Sequence, residues 1–214
     1  MKSTFINQGK ANLLVYFSGW SGPGTETEHL IAPPDYDLLI CCDYLDLNLD
    51  FDFSPYREIR LVAWSMGVWV AEQLMNEIPL ISATAVNGTP FPCNENFGIP
   101  PALFQATLQG LNRTSRAKFE RRMCADNRQL EIYQNLRDHR PLEKIRAELS
   151  ALYQAQALSP PPKLNWTHAL IGSKDRIFPP QNQLNYWQPP VHINLTEDGH
   201  YPFAALQYWE QLWS

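Results

Sequence analysis

Three residues of this chain are spaced for acyl-bond chemistry: a serine at a strand-to-helix turn, an aspartate after a late apolar run and a histidine after the next run. Ile59 to Trp64 leads directly into Ser65-Met66-Gly67 and then into helical spacing, with small side chains at Ala63 and Gly67. That is the local pattern of a nucleophile elbow, in which a strained turn lifts a hydroxyl clear of the sheet and small neighbours let strand and helix approach. Ala63 stands where that pattern usually has glycine and adds one methyl group. A helix beginning at Met66 offers its N–H and the positive end of its dipole to a developing oxyanion. A second N–H is expected from the loop after the first sheet strand, where Phe17-Ser18-Gly19-Trp20 allows Gly19 to turn the Trp20 N–H inward.

Serine is a weak nucleophile at neutral pH, so a base must reach it and a carboxylate should fix the tautomer of that base. Asp175 follows the run Asn165 to Ile171 and precedes Pro179, and His200 follows Val191 to Leu195 in Glu197-Asp198-Gly199-His200. The order serine, acid, histidine is that of hydrolases built on a parallel sheet. Asp198 is a rival acid, but two positions from the histidine it is better placed to support the loop; Asp43 and Asp126 are lesser rivals. His29, His139, His168 and His192 read as surface or core histidines. His192, Asp198 and His200 lack a recognisable metal-ligand spacing, so a metal is not expected.

The elements that must hold these residues are those of an α/β fold. Leu13–Ser18, Leu38–Asp43, Ile59–Trp64 and Ile81–Asn87, with the two later runs, are continuous apolar stretches suited to a mostly parallel sheet of about six strands. The segments between them are long enough for crossover helices; Met66–Asn76, Pro179–Trp187 and Pro202–Trp213 read as helices packed on the sheet. From residue 100 to 159 the strand signal stops and helical spacing takes over, bordered by Pro100, Pro101 and the run Pro160 to Pro162. This predicts a helical cap inserted into a core formed by residues 1–99 and 160–214.

With 214 residues, 44% hydrophobic, the chain can form one well-buried domain without disulfides or a structural metal, so its four cysteines read as free thiols. A net charge of -5 excludes a surface that grips nucleic acid throughout. The longest apolar run, Leu61 to Ala71, is too short to span a membrane, and Leu13 to Phe17 is too short for a secretory signal. A cytoplasmic protein is expected. The charge is uneven: residues 113–146 carry +5 and the remainder -10.

Phe17-Ser18-Gly19-Trp20, Ala63-Trp64-Ser65-Met66-Gly67-Val68-Trp69 and Asn87-Gly88-Thr89-Pro90 resemble the α/β-hydrolase superfamily, and within it the BioG type of pimeloyl-acyl-carrier-protein methyl ester esterase. Many hydrolases outside that type have histidine where Ser18 stands. The resemblance implies hydrolysis of the methyl ester of a pimeloyl group on its carrier protein, in biotin synthesis and without a cofactor. It implies Ser65 as nucleophile, Asp175 as acid, His200 as base, and the Trp20 and Met66 amides as oxyanion hole. Trp20, Trp64, Trp69, Phe91, Leu108 and Leu111 are expected to line the acyl passage. The basic residues Arg113, Arg116, Lys118, Arg121, Arg122 and Arg128 read either as a solvated helix face or as a docking patch for an acidic carrier, and the resemblance favours docking. A thioesterase or acyltransferase with the same triad, or a catalytically silent hydrolase-like binding protein, would share these residues.

Overall fold

The computed structural model describes residues 1–136 and 140–214, so Arg137, Asp138 and His139, which enter the charge and histidine counts above, lie outside the described residues. Seven strands form one sheet: β1 (Lys2–Ile6), β2 (Asn12–Phe17), β3 (Tyr36–Cys42), β4 (Glu58–Trp64), β5 (Ser82–Val86), β6 (His168–Gly172) and β7 (His192–Thr196), in the spatial order β1-β3-β2-β4-β5-β6-β7. Every pairing is parallel except that of β1 with β3. β1 is the strand beyond the six expected. All five of its residues are exposed, so it lacks the buried apolar run by which the others are recognised.

Successive side chains of the central strands point to opposite faces, and each face builds its own core. Leu13, Val15, Phe17, Leu61, Ala63 and Ile171 face α1 (Met66–Leu74) with Trp166 and Trp187. Leu14, Tyr16, Val62, Trp64, Val86 and Leu170 face the aromatic side chains of Tyr201, Phe203 and Trp209. Four helices lie between β5 and β6: α2 (Pro101–Gly110), α3 (Arg113–Met123), α4 (Asn127–Leu136) and α5 (Leu142–Gln156); α6 (Pro180–Tyr186) connects β6 to β7.

Two expectations need correction. Pro202–Trp213 is not a continuous helix but two short 3₁₀ turns, Phe203–Ala205 and Trp209–Leu212. Tyr201, Phe203, Trp209 and Leu212 must all reach the same sheet face, and burying those rings outweighs regular helical spacing. The connections from β2 to β3 and from β3 to β4 also contain no helix. In the second, Leu47, Leu49, Phe51 and Phe53 pack on the core while Asn48, Asp50 and Asp52 between them face solvent. That alternation has period two and suits extended chain.

Candidate active site

Ser65 sits between β4 and α1 with φ 56° and ψ -122°, a left-handed conformation that costs a non-glycine residue about 1–3 kcal/mol. The neighbouring chain leaves little choice of residue. A side chain at Gly67 would bring its Cβ within 2.5 Å of the carbonyl oxygens of Phe17 and Ser18, so the helix can approach β2 only with glycine there. Ala63 is completely buried, and the sheet core absorbs its methyl group.

His200 meets both partners. Its Nε2 lies 2.8 Å from Ser65 Oγ and its Nδ1 lies 2.7 Å from Asp175 Oδ2. All three residues are buried, with exposures of 6% for Ser65, 5% for Asp175 and 2% for His200, so the contacts are shielded from bulk water. Asp175 is held by its own loop: Oδ1 accepts from the N–H groups of Ile177 and Phe178 at 2.8 and 2.9 Å. The rivals have other partners. Asp198 accepts from the Gln129 side chain at 3.1 Å, Asp126 caps α4 through the Gln129 N–H at 2.8 Å, and Asp43 pairs with Arg140.

The backbone of His200 is fixed from two sides. Trp64 Nε1 donates to the His200 carbonyl at 2.8 Å, and Asn87 Nδ2 donates to the carbonyls of Gly199 and His200, both at 3.0 Å. Asn87 Oδ1 also accepts from the Gly172 N–H at 2.7 Å, tying the ends of β5 and β6 to the histidine loop. Asn87 belongs to the Asn-Gly-Thr-Pro motif, but its use as a tie was not evident from spacing. A signal was present: asparagine tolerates the left-handed φ of 47° found there, at the end of a strand.

Ser65 and His200 open into a cleft, continuous with solvent, between the sheet rim and helices α2, α3 and α5. Gly19, Trp20, Ser65 and Met66 share its floor, and Trp64 lines it as expected. The other four residues expected there do not. Trp69 and Phe91 line a separate groove beside Pro160, Pro161 and Pro162, while Leu108 and Leu111 pack into the core. Leu103, Phe104 and Thr107 instead present α2 to the cleft, joined by Phe119 and Leu149. The helical phase of α2 is turned away from Leu108, a detail that an apolar count does not reveal.

Of the basic residues on the insertion, Arg113, Lys118, Arg121, Arg122 and Arg128 are exposed. Arg116 differs from that expectation: it is half-buried and pairs at 3.0 Å with the buried Glu120. Arg176 extends the exposed basic surface onto the sheet domain beside Asp175, its guanidinium donating to the carbonyls of Arg121 and Cys124 at 2.8 and 2.9 Å. Arg122 and Arg176 both reach the cleft. Among the described residues no group of three or more His, Cys, Asp or Glu side chains is placed to hold a metal, and no helix is long and apolar enough to cross a membrane.

Comparison with known proteins gives this geometry its context. The family model for the pimeloyl-ACP methyl esterase BioG matches residues 1–212. A Haemophilus influenzae protein is 48% identical over 214 residues, covering all of this chain and 99% of the relative. A malonyl-[acyl-carrier protein] O-methyltransferase from Bacteroides fragilis is 42% identical over 198 residues, which is 91% of this chain but 40% of that protein. The crystal structure of BioG from Haemophilus influenzae superposes with a TM-score of 0.95 at 47% identity, with both chains fully covered. A thermophilic esterase from Thermogutta terrifontis shares the fold, with a TM-score of 0.63 at 14% identity over 94% of this chain and 86% of the other. The chain is an α/β-hydrolase and a carboxylic ester hydrolase, and it belongs to the pimeloyl-ACP methyl esterase BioG family.

Proposed function

We propose that the chain hydrolyses the methyl ester of a pimeloyl group carried on acyl carrier protein, using Ser65 as nucleophile, His200 as base and Asp175 as the carboxylate that orients His200. The observation that carries this reading is the single imidazole bonded at one nitrogen to a strained serine and at the other to a buried aspartate. His200 Nε2 takes the Ser65 proton as Oγ attacks the ester carbonyl, and the oxyanion is met by the N–H groups of Trp20 and Met66. The protonated His200 then gives its proton to the departing methoxide, releasing methanol and leaving an acyl-enzyme. Water, deprotonated by the same imidazole, attacks the acyl-enzyme; the carboxylic acid leaves and Ser65 recovers its proton.

The cleft fits an acyl chain ending in an ester. Trp20, Phe104, Phe119 and Leu149 give it apolar walls along which methylenes can lie, while Arg122 and Arg176 stand where the chain meets its anionic carrier. Helices α2–α5 act as the cap, and its exposed arginines and Lys118 attract an acidic protein toward the cleft. The Bacteroides fragilis relative is named for O-methylation of a carrier-bound malonyl group, the formation of the kind of bond removed here.

The test is mass spectrometry of pimeloyl-ACP methyl ester after incubation with the protein. Loss of one methylene mass with the carrier still acylated is expected. Release of free carrier thiol would instead mean cleavage at the thioester. Ser65→Ala should lower turnover by about 10⁴- to 10⁶-fold, and a variant that kept most of its rate would overturn the assignment.

A further inference from the structure

Resting on the triad and oxyanion hole above, we propose that Glu148 of cap helix α5 is a positioning residue for the oxyanion hole, acting on the loop that carries the Trp20 N–H. Glu148 touches neither the expected substrate path nor the triad. Its side chain is completely buried, and each oxygen holds a different loop of the sheet domain. Oε1 accepts from the Tyr44 N–H at 2.9 Å, and Oε2 accepts from the Ser21 N–H at 3.4 Å and from Arg140 at 2.9 Å. Ser21 directly follows Trp20. One turn earlier on α5, the Ile145 carbonyl accepts from Trp20 Nε1 at 2.9 Å. The same helix therefore grips the side chain of Trp20 and the backbone of the residue after it.

The two loops need such a hold. Ser21 has φ 58°, and Asp43, beside Tyr44, has φ 59°; both are non-glycine residues in the left-handed region. Conformations of that kind persist where surrounding contacts determine them. Arg140 bridges the Asp43 loop to α5, contacting Asp43 with one nitrogen and Glu148 with another, so the buried carboxylate has a positive partner. Tyr44 completes the arrangement by donating its hydroxyl to the Ser18 carbonyl at 2.7 Å, on the other side of Gly19. A change in α5 thus reaches the oxyanion loop through two direct contacts, Ile145 to Trp20 and Glu148 to Ser21, and through one relay, Glu148 to Tyr44 and Tyr44 to Ser18. Since oxyanion donors act only when aimed at the transition-state oxygen, a small rotation of this loop weakens catalysis without weakening substrate binding.

Glu148→Gln keeps the shape of the side chain but turns an amide nitrogen toward one set of its donors. In the full-length protein, with p-nitrophenyl butyrate as substrate, it should lower kcat by about 10- to 100-fold while leaving KM within about threefold. Affinity for a short-chain trifluoromethyl ketone, whose adduct with Ser65 places an oxyanion in the hole, should fall by the same factor as kcat/KM. A folded Glu148→Gln with unchanged kcat and ketone affinity, beside an inactive Ser65→Ala, overturns the proposal and leaves the triad standing; an active Ser65→Ala overturns the triad itself. A rise in KM as large as the fall in kcat would identify a general packing role and also overturn the proposal. If Glu148→Gln fails to fold, Arg140→Gln is judged by the same two measurements, with a smaller selective loss expected and no selective loss overturning it.

Discussion

The indole N–H of Trp64 donates to the carbonyl of His200 at 2.8 Å, so the residue before Ser65 holds the backbone of His200. The rings of these two residues also lie 5.6 Å apart. Serine and imidazole therefore keep their separation even though 135 positions divide them in sequence. The same carbonyl accepts from Asn87.

Removing the two donors should have unequal effects. Trp64→Phe loses one hydrogen bond and leaves a small void, so stability should fall by about 1–2 kcal/mol and kcat by about 3- to 10-fold. Asn87→Asp is harsher at equal volume, because it sets an oxygen against the carbonyls of both Gly199 and His200. It should cost about 1–3 kcal/mol and a larger share of kcat. Thermal melts and steady-state kinetics on a small ester check both, and Asn87→Asp with wild-type kcat would show that the tie does not aim His200.

Charge reversal on the cap should separate carrier recognition from ester chemistry. Arg122 lines the cleft and stacks over Phe119 at 5.9 Å, so replacing it would disturb the cleft as well as the surface; Lys118 and Arg121 are exposed and border two shallow surface grooves outside the cleft. Lys118→Glu combined with Arg121→Glu should lower kcat/KM on the carrier-linked ester by about tenfold or more at low salt, and should reduce its salt dependence. Hydrolysis of p-nitrophenyl butyrate should stay within twofold of wild type. Parallel loss on both substrates would indicate damage to the cap.

The grouping of Ser65, Asp175 and His200 was legible in the sequence because each sits in a local pattern: Ser65 in a strand-turn-helix, Asp175 and His200 in the loops after successive late strands. The cap contacts were not. Glu148 meets Tyr44 and Ser21 across 104 and 127 positions, and on its own helix it looks like any solvent-facing glutamate. Arg176 was overshadowed by its neighbour Asp175. Pro202–Trp213 reads as a helix, but the chain breaks into two short turns that deliver both Phe203 and Trp209 to Tyr16 on the sheet face. Helical phase in α2 is likewise set by what lies beneath it, which is why Leu103 and Phe104, and not Leu108, face the cleft.

The thiols should be inert toward alkylation at mild pH. Cys41, Cys42, Cys93 and Cys124 are all free, and burial pushes each thiol up, to about 11 for Cys42 and about 12 for Cys124. At pH 8 the thiolate fraction of Cys42 is then roughly one part in a thousand. Iodoacetamide at that pH should leave esterase activity unchanged over a period in which a small exposed thiol reacts fully. Rapid inactivation that follows alkylation of Cys42 or Cys124 would contradict the burial argument.

A carboxyl buried against Ser18 should give the protein a distinctive pH dependence. Glu26 is completely buried; its Oε1 accepts from Tyr16 Oη at 2.8 Å and meets Ser18 Oγ, while Oε2 has no hydrogen-bond partner among the described residues. Burial pushes this carboxyl above its ordinary value of 4.5, and the bonds from Ser18 and Tyr16 offset only part of that rise. Between the ordinary and the raised value the folded chain holds a proton that the unfolded chain has released. Unfolding free energy attributable to Glu26 therefore falls as pH rises through that interval, by about 1.4 kcal/mol for each unit of elevation. Glu26→Gln keeps the acceptor for Tyr16 and Ser18 but cannot ionise. Relative to wild type it should be more favourable at pH 8 than at pH 5, read as a pH-dependent difference in urea unfolding free energy. Curves that run parallel across this range would show that Glu26 titrates alike in both states, and the buried carboxyl would then have to be solvated in a way this packing does not allow.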